Sequence, residues 1–298
     1  GDHVAEIQAL NQVAHALLFV FGDAEKALKY SQRALALSCA LPHEPYLQAH
    51  ALFTLIHAHL RVRERPQAAD YLAQTEALFA QHPELDSLQT ELIGYQAILA
   101  QLESRWEEAR RLQHRLIQIH RADHNLLGLT NALYNAAHIG SFLGQHEESI
   151  LFAEELMAHT RQNRSASDRY MGVFDRTMLV ECYTMAGRLA EAEKALAPLL
   201  DWLQREDAGR GAIQAWMAVG NLRFMQGDFA AAYHAHSRAL VHIEHRGAST
   251  SAPYICHAEA ALLLGKRTEA EASFEKATGL IDLELTSSNL TYYRYVQF

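Results

Sequence analysis

Apolar and polar positions along this chain follow one pattern that recurs about every forty residues. The clearest copy places Trp216, Val219 and Gly220 at i, i+3 and i+4, which gives a first helix one inward-facing stripe. A turn at Gly227 ends that helix, and the small residue Ala232 follows in a second helix. Each copy therefore predicts a hairpin of two helices, here called helix A and helix B.

The same two landmarks occur in seven copies along the chain. The predicted turn residues are Gly22, Arg63, Ser104, Gly144, Gly187, Gly227 and Gly265. The small residues five positions later are Ala27, Ala68, Ala109, Ser149, Ala192, Ala232 and Ala270. A fixed spacing of this kind over the whole length predicts one helical hairpin repeated in tandem.

Each landmark has a physical reason. Gly227 can take the positive φ that ends helix A, and Asp228 can then cap helix B. Gly220 allows the partner helix to approach closely, because a larger side chain would hold the two backbones apart. Ala232 is small because helix B crosses helix A there. In the second copy Pro66 falls at the start of helix B, where proline is tolerated.

The fold class that follows is all-α. β-branched alternation is nowhere sustained, and the fifteen glycines cluster at turns. We predict a single repeat domain, 1–298. Its predicted repeats are 4–42, 45–82, 86–121, 125–162, 167–204, 210–246 and 251–284, followed by a terminal helix at 286–298.

The order of Trp216, Val219-Gly220, Gly227-Asp228-Phe229, Ala232 and Ala239 resembles the tetratricopeptide repeat. That resemblance implies a right-handed superhelical α-solenoid with about seven helix pairs. The period here is near forty residues, whereas the family's usual period is about 34. The longer form is similar to the repeat regions of bacterial maltose-activator-like regulators, peptide-pheromone receptors and kinesin light chains. In such relatives the concave face binds a small molecule, a peptide or a protein.

Composition excludes some classes of function. The net charge of −9, without clustered Lys and Arg, argues against direct nucleic-acid binding by this segment. Cys39, Cys182 and Cys256 lie far apart in apolar helical runs, and we expect them to be buried thiols in a reducing compartment. The sequence shows no membrane span and no cationic leader, so we expect a cytoplasmic protein.

Helix A lines the groove in tetratricopeptide arrays, so the resemblance implies where a ligand binds. Aromatic, amide, imidazole and carboxylate side chains fall together on that surface, a mixture that suits a peptide or a small polar ligand. The predicted binding residues are Phe53, His57, Tyr134, His138, Phe174, Thr177, Glu181, Gln214, Met217, Asn221 and Glu259.

No pattern in the sequence indicates a catalytic or metal site. It has no phosphate-binding glycine loop, nucleophile elbow or zinc-protease helix motif. The histidines at 234–245 lack the spacing and the additional ligands of a tetrahedral site. We therefore expect no enzyme activity and no cofactor. An enzyme would require that the carboxyl groups of Glu181 and Glu259 share a raised pKa.

Two functions remain open from the sequence. The first is the sensor or interaction region of a bacterial signalling or transcription regulator, cut from a longer protein. The second is a constitutive protein–protein scaffold without a small ligand. The aromatic residues Tyr292, Tyr293 and Tyr295 would then be candidates for a partner surface, and a homodimer is compatible with the sequence.

Overall fold

The structure is a computed structural model that describes residues 3–162, 168–205, 211–246 and 250–284. Its helices, in chain order, are α1 His3–Phe19, α2 Ala24–Ser38, α3 Pro45–Arg61, α4 Arg65–Gln81, α5 Gln89–Leu102, α6 Trp106–Ala122, α7 Leu126–Phe142, α8 His146–Gln162, α9 Asp168–Met185, α10 Leu189–Arg205, α11 Ala212–Met225, α12 Phe229–Arg246, α13 Ala252–Leu263 and α14 Arg267–Glu284. A 3-10 turn, Pro83–Leu88, precedes α5. No strand occurs within these ranges, so the all-α prediction is confirmed.

The predicted turn residues all have the left-handed backbone that ends helix A. The φ angles of Gly22, Arg63, Ser104, Gly144, Gly187, Gly227 and Gly265 are 71°, 66°, 59°, 72°, 71°, 80° and 74°. The residue after the turn closes it by donating its backbone N–H to a carbonyl of helix A, as Asp228 does to Arg223 over 3.0 Å. Even arginine and serine adopt this conformation, so the repeat geometry outweighs their preference for negative φ.

The small residues after each turn are buried. Ala27, Ala68, Ala109, Ser149, Ala192 and Ala232 are fully buried, and Ala270 is almost so. At Gly220 an added Cβ would lie 2.1 Å from Nε2 of His236 on α12. Asp228 caps α12 by accepting the N–H of Ala231 at 3.0 Å. Close approach at Gly220 and capping by Asp228 are therefore both confirmed.

The chain divides into two compact units, Gly1–Glu103 and Ser104–Phe298. The first contains α1 to α5, with α1 packed on α2 and α3 on α4. The second contains α6 to α14, with the hairpins α7–α8, α9–α10, α11–α12 and α13–α14. The predicted terminal helix at 286–298 and its tyrosines lie outside the described residues.

The cysteines follow the prediction in part. Cys182 on α9 and Cys256 on α13 are buried free thiols. Cys39 is exposed, so its predicted burial is wrong. It stands just after the last residue of α2, at the C-terminal end of that helix. No helix in the described ranges is long and apolar enough to cross a membrane.

Candidate functional site

The A helices of the second unit lie in a row. The A helices α7, α9, α11 and α13 pack successively on one another. Among the described residues, the B helices α8, α10, α12 and α14 make no comparable contact with each other. Helices that touch along one side of a row and separate along the other must curve toward the touching side. The half-buried and exposed side chains of α7, α9, α11 and α13 on the side where these A helices touch are called the inner wall below.

The turns set the register of this wall. Counting six residues back from each turn gives a polar row, His138, Glu181, Asn221 and Glu259. Counting two residues back gives an apolar row, Phe142, Met185, Met225 and Leu263. Residues four apart on a helix share a face, so the two rows run side by side across successive A helices.

The apolar row is exposed although its members are large. Phe142, Met185, Met225 and Leu263 are 40%, 53%, 52% and 55% accessible to solvent. The sequence-based prediction missed this row, because a pattern of apolar residues at the end of helix A predicts core side chains. One more helical turn beyond the predicted polar positions would have found it. Repetition at one register position distinguishes the row from scattered surface hydrophobics.

Phe142 is held by two rings. It stacks on Trp106 at the start of α6, with ring centroids 5.3 Å apart. His138, one turn earlier in α7, meets it edge-on at 4.7 Å. Burial lowers the pKa of His138 from 6.5 to about 4. The imidazole is therefore neutral near pH 7 and contributes ring surface to the wall without adding positive charge.

Glu181 lies at the middle of the polar row and is half-buried. Desolvation raises the pKa of its carboxyl group from 4.5 to about 7. The side chain forms no hydrogen bond or ion pair with any described residue. On α7, burial is the main cause that raises the pKa of Tyr134, and the nearby carboxyl groups of Glu181 and Asp175 add to it. The Tyr134 hydroxyl on α7 therefore feels the charge of carboxyl groups on α9.

The remaining predicted residues of the second unit take several positions. Gln214 is exposed, and Phe174, Met217 and Glu259 are half-buried. Thr177 is only 4% exposed, and its hydroxyl donates to the carbonyl of Val173 at 2.8 Å. Asn221 Oδ1 lies 3.3 Å from His236 Nε2, so its amide contacts helix B of its own hairpin. Thr177 and Asn221 therefore each form a contact within the protein.

Phe53 and His57 lie on α3 of the first unit. Phe53 is 6% exposed, stacked on Tyr95 at 5.5 Å and edge-on to Phe79 at 6.1 Å. His57 is half-buried, with Nδ1 3.5 Å from the Tyr95 hydroxyl. Desolvation first, then the charges of Arg61 and His15, lower its pKa. Phe53 is thus part of an aromatic core, and His57 lies at the edge of that core.

Charge on the described inner wall is acidic. Helix α7 contains no charged residue, and α13 contains only Glu259. The arginines with described side chains on the A helices of this unit are directed to α10: Arg176 donates to the carbonyl of Ala195, and Arg223 pairs with Glu193. No group of three potential metal-ligating side chains comes together in the described part of the chain. The arrangement can bind through apolar contact, hydrogen bonds and one desolvated carboxyl group.

Comparison with known proteins identifies the fold. A tetratricopeptide repeat protein from Parabacteroides merdae superposes with a TM-score of 0.66 at 16% identity, covering 96% of this chain and 99% of that one. The chain has the tetratricopeptide-repeat fold. NprR in complex with its cognate peptide NprX also superposes with a TM-score of 0.66, at 13% identity over 99% of this chain and 82% of that one.

A third tetratricopeptide-like match is a Rap protein complexed with Competence and Sporulation Factor. Its TM-score is 0.66 at 15% identity, with coverage of 98% of this chain and 81% of that one. No family model and no curated protein sequence matches the chain. At these identities the likeness establishes the tetratricopeptide-repeat fold alone.

Proposed function

We propose that this chain is a non-catalytic peptide-binding region of a bacterial signalling or transcription regulator, and that the peptide lies on the inner wall. The observation that carries the proposal is the exposed apolar row beside a polar row on packed A helices. Exposed apolar surface that repeats in register provides affinity, and the neighbouring amide, imidazole and carboxyl groups provide specificity.

The fold supports peptide binding more strongly than catalysis on a bound substrate. NprR, which has the same fold, has a crystal structure in complex with its cognate peptide. On the described inner wall the polar groups are spread over four helices, and catalysis requires groups that converge on one reacting atom. Methionines at 185, 217 and 225 add flexible, polarisable surface that adapts to varied side chains. A sensor would act if bound peptide favoured one stacking of the repeats over another.

The test uses two variants that add the same charge at exposed apolar positions. Met225→Lys alters the inner wall, and Leu151→Lys alters α8, where Leu151 is 64% exposed. Both positions face solvent, so both proteins should fold. We expect the wild type and Leu151→Lys to retain peptides from a random library, and Met225→Lys to lose them. Equal retention by both variants would place binding elsewhere, and a wild type that retains no peptide would contradict the proposal.

A further inference from the structure

The inner wall also indicates which peptides fit. Two described carboxyl groups of this wall are partly exposed, those of Glu181 and Glu259. The guanidinium groups of Arg176 and Arg223 are bonded to α10, and His138 is neutral. A ligand with negative side chains would lie against carboxyl groups, because the described arginines of these helices are already bonded to α10. A ligand cation, in contrast, would meet the carboxyl group of Glu181, which has no hydrogen bond or ion pair with any described residue.

The spacing of the apolar row restricts the ligand further. Packed helices lie about 8–10 Å apart, so Phe142, Met185 and Met225 repeat at roughly that interval along the wall. A polyproline II peptide advances about 3.1 Å per residue, which returns a side chain to the same face after about 9 Å, or three residues. A β-strand returns after about 7 Å, or two residues. The wall therefore matches an extended peptide with an apolar side chain at every third position.

We infer that the inner wall binds a short, extended peptide that directs a lysine or arginine side chain at Glu181 and places apolar side chains at every third residue on Phe142, Met185 and Met225. This inference rests on the proposed function and names its ligand class. The carboxylate supplies the charge contact, and the apolar row supplies the register.

A positional-scanning library of capped, soluble peptides tests the ligand class. The wild-type protein is screened at pH 8, where the carboxyl group of Glu181 is mainly ionised. We expect enrichment of lysine or arginine at one position and of leucine, methionine or phenylalanine at every third position. Enrichment of acidic peptides, or of apolar residues at every second position, would overturn this inference and leave the proposed function standing. Retention of no peptide would overturn both.

Two substitutions then locate the contact. Glu181→Gln removes the charge and keeps the shape, while Glu275→Gln makes the same change on an exposed part of α14. For an enriched lysine peptide we expect Glu181→Gln to weaken binding about tenfold and Glu275→Gln to leave it unchanged. Acetylating the peptide lysine should weaken wild-type binding by a similar factor and have no further effect on Glu181→Gln. Equal binding by wild type and Glu181→Gln would refute the contact.

Discussion

The packing between helix A and helix B can be tested at Gly140 and Ser149 in the α7–α8 hairpin. Ser149 occupies the position where most repeats have alanine, and it is fully buried. A Cβ at Gly140 would lie 2.4 Å from Ser149 Oγ, while the next nearest atoms, Gln145 O and Ser149 Cβ, are at 3.6 and 3.7 Å. The serine hydroxyl alone therefore blocks a methyl group at Gly140.

The sizes of two opposing effects predict that Gly140→Ala destabilises the wild type but stabilises the Ser149→Ala variant. Alanine in place of glycine inside a helix stabilises by roughly 0.5–1 kcal/mol. Overpacking a buried contact costs about 1–3 kcal/mol. Gly140→Ala should therefore destabilise the wild type by up to about 2 kcal/mol. Combined with Ser149→Ala, which removes the obstructing oxygen, the same substitution should stabilise by roughly 0.5–1 kcal/mol.

The assay is a double-mutant cycle measured by urea unfolding, with amide hydrogen exchange in α7 and α8 because repeat arrays can unfold locally. Ser149→Ala alone loses a 3.1 Å hydrogen bond to the carbonyl of Gln145, the residue before α8, and we expect its effect to be small. The coupling energy should be about 1–3 kcal/mol in favour of the double variant. Additive effects, or stabilisation by Gly140→Ala alone, would refute the predicted contact.

Three further predictions test the turns, the wall and the first unit. Gly227→Ala should destabilise the protein by about 1 kcal/mol, because φ is 80° there. Gly279→Ala, in an open part of helix α14, should stabilise it by about 0.5–1 kcal/mol. Thermal unfolding should therefore show changes in stability of opposite sign for the two variants, and changes of the same sign would contradict the prediction. The raised pKa of Glu181 means that the folded state holds a proton which the unfolded state releases, so stability falls by at most about 3 kcal/mol as pH rises from 4.5 to about 7. Glu181→Gln should remove this loss of stability. Urea unfolding at several pH values should therefore show the variant becoming more stable relative to the wild type as pH rises through this window. A difference in stability that does not change with pH would contradict the desolvation of Glu181. Phe53→Ala should cost about 3–5 kcal/mol in unfolding free energy, because its ring packs in a core; a loss of only a few tenths would instead favour a ligand-contacting side chain.

The repeat register could be predicted from sequence because it depends on two strict local requirements. A left-handed residue must end helix A, and a small residue must sit where helix B crosses it. Arg63 and Ser104 were identified from spacing alone, and both adopt positive φ. Burial of the alanine positions followed from the same spacing.

The exposure of individual wall residues was harder to predict. Each step along a helix turns a side chain by about 100°, so a small error in register exchanges groove for core. The ring of Phe53 packs in an aromatic cluster, and the hydroxyl of Thr177 donates a hydrogen bond within its own helix. Met185 and Met225 are exposed because no described residue covers them at the ends of α9 and α11. Such coverage depends on packing between repeats, which a single-sequence pattern does not specify.

The central claim is that ligands bind on the inner wall of the A helices. Site-specific photo-crosslinking tests it directly, with benzoylphenylalanine at Met225 on α11 or, as the outward control, at Leu151 on α8. Each protein is irradiated with the random peptide library and the adducts are identified by mass spectrometry. We predict peptide adducts at Met225 that a selected peptide competes away, and none at Leu151. Adducts of equal yield at both positions, or at Leu151 alone, would contradict the account.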